Sequence, residues 1–354
     1  MISAFAVREG VLGPVPDVSP SALPADAVWV DLLDPTAEEE AAVERLLGVG
    51  VPTRQEMAEI EESARLYEER GALVMTAVVV TGVSERRRPA TAEVTFVLTP
   101  KTLATIRYAD PLPFRAFAEK CRRRPEAHGT GELVFLSLLE NIVNRLADIL
   151  EAADAELDAL SEAVFADGGD AVAGGDAPGV GGGAVPDATR RRWSWRLARR
   201  RAPPADLQAV VKRIGRASAL VGKLRESLLS FGRVLAFFRQ GAGERLKDGA
   251  RARLRTLDRD VASLAEYDTQ LSAEIGFLLQ AAFGLIGVEQ NTIIKVFSIA
   301  AVLFLPPTLV GTLYGMNFDH MPELHWAFGY PFALALMVAS AVAPYYWFKH
   351  RGWL

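Results

Sequence analysis

Cysteine is almost missing from this chain: one residue of 354, Cys121. A lone cysteine excludes a disulfide framework and a cysteine metal cluster, and it suits a reducing compartment. Histidine is scarce, with four residues, and none of them belongs to a His-rich metal motif. No glycine-rich phosphate loop and no nucleophile elbow can be found, so no residues support an enzyme. The amino-terminal run MISAFAVREGVLG has no basic region followed by a long apolar core, and no cleaved signal peptide is expected. The net charge of −5 is mild and leaves no footprint for nucleic acid.

Charge is also missing from two stretches near the carboxyl end. Between residues 292 and 313 the only formal charge is Lys295, and residues 329–347 carry none. A helix needs about 20 apolar residues to cross a bilayer core, and both stretches reach that length, the second narrowly. Two uncharged segments this long seldom sit together in a soluble domain, which sets a buried helical hairpin aside. The connecting residues 314–328 hold Asp319 and Glu323 but no Lys or Arg, whereas Lys349 and Arg351 follow the second stretch. With basic residues on the inner side, both termini and residues 1–290 are expected in the cytoplasm and the connecting loop outside. A lipid bilayer is then one partner.

The remainder divides by composition. Residues 1–130 read as an α/β domain, with strands expected at 3–7, 28–33, 72–81, 91–98 and 102–108. A helix is expected after Asp34-Pro35-Thr36, running through Glu38-Glu39-Glu40 to Leu47. Thr53 and Glu56 fit a capping box for the next one. Residues 131–243 read as long cytoplasmic helices, at 132–166 and 207–240, around an insert at 167–201. That insert is rich in Gly and Ala, then basic, from Arg190 to Arg201 with Trp193 and Trp195 interleaved. It reads as a flexible solvated segment, or as a dock for the acidic end of the preceding helix or for anionic lipid headgroups. From 244 to 313 no strong breaker interrupts the helical pattern, which predicts a stalk helix of ~105 Å continuing into the first span. A loop at 314–328, a second span at 329–347 and a basic tail at 348–354 complete the chain.

One hairpin cannot enclose a water-filled path, so several copies must surround an axis. On the first span Asn291, Ile294, Phe297, Ala301, Leu305, Thr308 and Thr312 recur at steps of three or four and share one side. Any apolar helix has such a stripe. The polar members Asn291, Thr308 and Thr312 favour a pore lining over ordinary packing. The stripe carries no carboxylate. Pro306 and Pro307 remove two backbone donors, so a kink or widening is expected there.

Tyr314-Gly315-Met316-Asn317 followed by Met321-Pro322-Glu323-Leu324 resembles the YGMN and MPEL signature of the CorA family of magnesium channels. The segment from Phe277 through Glu289-Gln290-Asn291, the FLPPTLV run from Phe304 to Val310 and the tail from Phe348 are similar to the enterobacterial type of that family. The resemblance implies an α/β cytoplasmic domain, a long helical stalk and two C-terminal transmembrane helices. It implies a funnel-shaped homopentamer in a bacterial inner membrane. It also implies transport of divalent cations, with Mg²⁺ as both the transported and the regulatory ion, and Co²⁺ and Ni²⁺ expected to pass.

The filter by resemblance is Gly315, Met316 and Asn317. Mg²⁺ sheds its water reluctantly, and a ring of Asn317 carboxamides can accept hydrogen bonds from that water. Asp319 and Glu323 in the outer loop raise the local cation concentration, or Glu323 holds the loop. Thr312 stands where other members have glycine and is expected to narrow the outer pore. Asp260, within Asp258-Arg259-Asp260-Val261, resembles a stalk aspartate that binds regulatory metal between protomers, with Asp258, Glu266 and Asp268 as alternatives. Two rival readings are a Zn²⁺ or Co²⁺ transporter of the same fold and a non-conducting, membrane-anchored scaffold or sensor.

Overall fold

The computed structural model describes residues 1–8, 10–83, 88–123, 129–165, 207–242, 245–316 and 326–351, as two compact units, 1–279 and 280–354. Asn317, Asp319, Glu323 and the basic insert lie outside the described residues.

The first unit is built on a seven-stranded sheet in the order β2-β1-β3-β7-β6-β5-β4. Its strands are β1 Ile2–Arg8, β2 Val11–Pro14, β3 Ala27–Leu33, β4 Leu66–Glu69, β5 Ala72–Thr81, β6 Ala90–Leu98 and β7 Leu103–Arg107. Every neighbouring pair is antiparallel except β3 with β7. β5 is buried along nearly its whole length, which is why ALVMTAVVVT reads as a continuous apolar run rather than an alternating one. On one face Val30, Leu32, Val74, Val97 and Ile106 pack with Val43 of α1, Ala37–Leu47, and with Met57 of α2, Arg54–Met57. On the other, Trp29 stacks on Phe5 at 4.4 Å and meets Phe117 of α4, Leu112–Arg123, at 5.2 Å.

The first two helices start as the residues before them dictate. Thr36 and Glu39 form a full capping box for α1, and Thr53 and Glu56 form one for α2. The hydrogen bonds from Thr53 hold the Glu56 carboxyl below the usual carboxylate range. Four elements were not foreseen: the four-residue strands β2 and β4, and the helices α3, Glu62–Arg65, and α4. The two strands are too short to show an alternation, and they exist because a longer neighbour offers an edge. The short helix α3 leads into β4.

The long helices follow: α5 Gly131–Phe165, α6 Leu207–Ala242, α7 Asp248–Tyr314 and, last, α8 Gly329–His350. α7 begins four residues later than the expected 244 and is unbroken over 67 residues, through Pro306 and Pro307. In the first unit α7 buries Ala250, Leu254, Leu257, Val261, Leu271, Ile275 and Leu278 along one seam. Their steps are three or four, apart from the ten residues between Val261 and Leu271, which keep the same phase, and they make the heptad pattern of helices that pack along a neighbour.

Candidate functional site

The second unit contains the end of α7 and all of α8. The most apolar 18-residue windows of these helices have mean hydropathies of 2.1 and 1.4, and none of the α7 window is buried. Helices that are apolar on all sides and lack protein cover suit lipid. Trp326, Tyr330, Tyr345, Tyr346 and Trp347 cluster at the two ends of α8, as interfacial aromatics do. The Arg351 guanidinium lies over the Trp347 ring, 5.6 Å from its centroid.

The end of α7 has two unlike sides. Leu303, Pro306, Pro307, Val310, Gly311 and Tyr314 are partly covered. α8 supplies cover there: a Cβ on Gly311 would lie 2.9 Å from Met337 Cε. The opposite side bears Asn291, Ile294, Phe297, Ala301, Leu305, Thr308 and Thr312, all exposed. Phe297 is 71% exposed and Leu305 65%. The stripe named from spacing is therefore the side that α8 leaves open.

Two of its polar members have a fixed orientation. The Thr308 hydroxyl donates to the Phe304 carbonyl at 2.7 Å, and the Thr312 hydroxyl donates to the Thr308 carbonyl at 2.8 Å. Each proton is thus held within the helix, and what each hydroxyl presents outward is its oxygen lone pairs. Such a surface accepts hydrogen bonds from water.

α7 ends at Tyr314, where the Gly315 N–H bonds the Gly311 carbonyl at 3.0 Å and the Met316 N–H bonds the Leu313 carbonyl at 3.3 Å. Gly315 is not among the glycines of positive φ. Crowding constrains it instead: a Cβ there would sit 3.1 Å from the Gly311 carbonyl oxygen. Asn317 follows directly, outside the described residues.

The stalk carboxylates differ from one another more than their sequence suggests. Asp258 is paired with Arg239 of α6 at 2.7 Å. Asp260 and Glu266 are exposed on α7, and Asp268 is fully buried. Among the described residues of a single chain, no group of three His, Cys, Asp or Glu side chains converges to hold a metal. A second acidic zone lies where α5 faces α7. There Asp154 accepts a hydrogen bond from Tyr267, whose phenol is pushed up to about 12. Burial, together with Asp154 and Asp158, pushes the Glu274 carboxyl up. Sequence reasoning noted the acidic end of α5 but not these partners on α7.

Known proteins give the context for this geometry. The family model of the CorA-like Mg²⁺ transporter proteins matches residues 24–173 and 206–350. The chain is 33% identical over 354 residues to the magnesium transport protein CorA of Sodalis glossinidius, covering all of both chains. It is equally similar, again over the full length of both chains, to the protein of that name from Salmonella typhimurium. In fold it is similar to the complete structure of the CorA magnesium transporter from Methanocaldococcus jannaschii. There the TM-score is 0.71 and the identity 18%, covering 100% of this chain and 99% of that one.

Proposed function

Since the chain belongs to the family of CorA-like Mg²⁺ transporter proteins, we propose that it conducts Mg²⁺ through a central pore formed by the α7 helices of a homopentamer. It is a membrane transporter and not an enzyme. The observation that carries the pore reading is the open stripe from Asn291 to Thr312, on the side of α7 opposite α8. A helix pair in lipid gains nothing from Thr308 and Thr312 on an outward face, where two oxygen acceptors meet hydrocarbon. Around an axis the same oxygens face the water shell of a passing ion.

In this reading the hydrated ion is selected at the ring of Gly315, Met316 and Asn317, with Asp319 and Glu323 gathering cations outside. Rings of Ile294, Phe297 and Leu305 form apolar constrictions that close the path by dewetting. A neutral lining binds the ion weakly enough to release it. A membrane potential of 100 mV, negative inside, favours entry of a dication by about 4.6 kcal/mol, so no nucleotide is needed. Both termini lie in the cytoplasm, and cytoplasmic Mg²⁺ bound between protomers at Asp260 or Asp258 holds the pore shut. Co²⁺ and Ni²⁺ pass by the same route.

Purified protein in liposomes tests this. A potential negative inside should drive Mg²⁺ uptake, and native mass measurement should find five copies. Zn²⁺ or Co²⁺ flux in the absence of Mg²⁺ flux would favour another ion on the same fold. No flux of any dication would leave a membrane-anchored scaffold. A finer expectation concerns Thr312. Thr312→Val keeps the shape and removes the acceptor from every chain, and if the hydrated ion uses one of these hydroxyls at a time, a lost hydrogen bond of about 1 kcal/mol corresponds to at least roughly fivefold slower Mg²⁺ flux. Thr312→Ser should stay near wild type. If the Val and Ser variants conduct equally, the hydroxyl oxygen plays no part.

A further inference from the structure

The buried seam of the stalk has one charged member. Asp268 lies between Val261 and Leu271 in the heptad pattern and is 0% exposed. Its Oδ2 accepts from Arg225 Nε on α6 at 2.9 Å. Its Oδ1 meets no donor, the one buried side-chain polar atom left so among the described residues. Burial pushes the carboxyl above its usual range, against the pull of Arg225.

This contact repeats the register of the two helices. Gly232 of α6 faces Val261, where a Cβ would lie 3.9 Å from Val261 Cγ1. One heptad on along each helix, in opposite directions, Arg225 meets Asp268. Arg225 also donates from Nη2 to Ser272 Oγ at 2.9 Å, while its side chain stays 44% exposed. The cation is thus still hydrated, whereas the carboxylate has left water for one partner and an empty oxygen.

A charge at a single seam position specifies register and lowers the stability of the packed state. Burying an ion with incomplete hydrogen bonding costs more than its partner returns, and an apolar residue of similar size packs better. Any displacement of α7 along or away from α6 that admits water to Oδ1 recovers the lost hydration. We propose that Asp268 and Arg225 form a release latch between α6 and the stalk. The pair sets one register when the stalk is packed, and the orphan oxygen favours the shifted arrangement adopted during transport. This rests on the transport reading above, in which the same helix lines the pore.

The latch predicts effects of opposite sign from its two halves. Asp268→Leu removes the buried charge and leaves Arg225 solvated, so the packed state gains. Stalk cleavage in limited proteolysis of the full-length protein should slow about tenfold, and Mg²⁺ uptake by proteoliposomes should fall by a similar factor. Arg225→Met leaves Asp268 buried without a partner. The released state gains, cleavage speeds up by about tenfold, and uptake is kept or raised. The double variant Asp268→Leu with Arg225→Met should behave as Asp268→Leu does, and it remains a test should Arg225→Met alone fail to fold. Coincident cleavage curves for wild type, Asp268→Leu and the double variant would overturn the latch. So would faster cleavage of Asp268→Leu. Absence of Mg²⁺ uptake by wild type would instead overturn the transport reading, and the proteolysis series still judges the latch.

Discussion

Asn317→Ala is expected to abolish Mg²⁺ uptake while leaving the protein assembled. The residue follows the end of α7 at Tyr314 by way of Gly315 and Met316, and the chain there turns out of the helix. Its carboxamide is a neutral donor and acceptor, suited to water that Mg²⁺ does not release. In a homopentamer one substitution removes five carboxamides together. At about 1 kcal/mol for each hydrogen bond, the loss exceeds a hundredfold in rate even if only three of the five act at once. Asn317→Asp should differ in kind. A ring of carboxylates would hold the dication more tightly and slow its release, so uptake would fall while apparent affinity rose. Uptake by proteoliposomes, with native mass measurement as the control on assembly, decides the matter. A normal rate for Asn317→Ala would remove Asn317 from the filter.

The second large effect lies in the sheet. Arg107 is 5% exposed and Asp31 8%. Arg107 donates from Nε and Nη2 to the two Asp31 oxygens at 3.1 and 2.8 Å. Its Nη1 serves Asp110 at 2.6 Å and the Ala109 carbonyl at 2.9 Å. Thr105 donates to Asp31 at 2.6 Å and accepts from Trp29 at 3.0 Å. This network closes the parallel pair β3 and β7 beneath α4, and Arg107 lies 5.1 Å from the Phe114 ring centroid. Arg107→Met keeps the packing volume but strands the Asp31 charge, which costs about 3–5 kcal/mol. Thermal unfolding of the solubilised protein should shift down on the order of 10 °C. Arg115 also pairs with Asp110, at 3.3 Å, but its side chain is 50% exposed, and Arg115→Met should cost less than about 1 kcal/mol. Equal melting of wild type and Arg107→Met would show that the network contributes nothing net.

These two cases differ in how legible they were. Asn317 is singled out by its immediate neighbours, because the signature around it and the apolar runs on either side are local in the chain. The exposed stripe on α7 was also legible as a periodicity, since Asn291, Thr308 and Thr312 fall at helical spacing. Arg107 stood in the sequence only as the end of a β-rich segment. Its partner Asp31 is 76 residues away, and the parallel pairing that joins them leaves no trace in either segment. The stalk carboxylates make the same point. Asp258, Asp260, Glu266 and Asp268 looked alike as helix residues, yet two are exposed, Asp258 is half-buried and paired with Arg239, and Asp268 is buried and paired with Arg225. The heptad run of Leu254, Leu257, Val261 and Leu271 did contain a signal for Asp268, because it places a charge on an apolar seam.

By itself the sequence determined the two membrane-length helices, the stalk that leads into the first of them, the five longer strands and the family. Each of these depends on apolar content, periodicity or a motif within a short window. Tertiary structure alone decided which side of α7 is covered by α8, which carboxylate of the stalk is out of water, and that β3 lies beside β7. Burial and pairing depend on what distant segments bring to a residue, and desolvation acts on the group that is covered, whatever its neighbours in the chain.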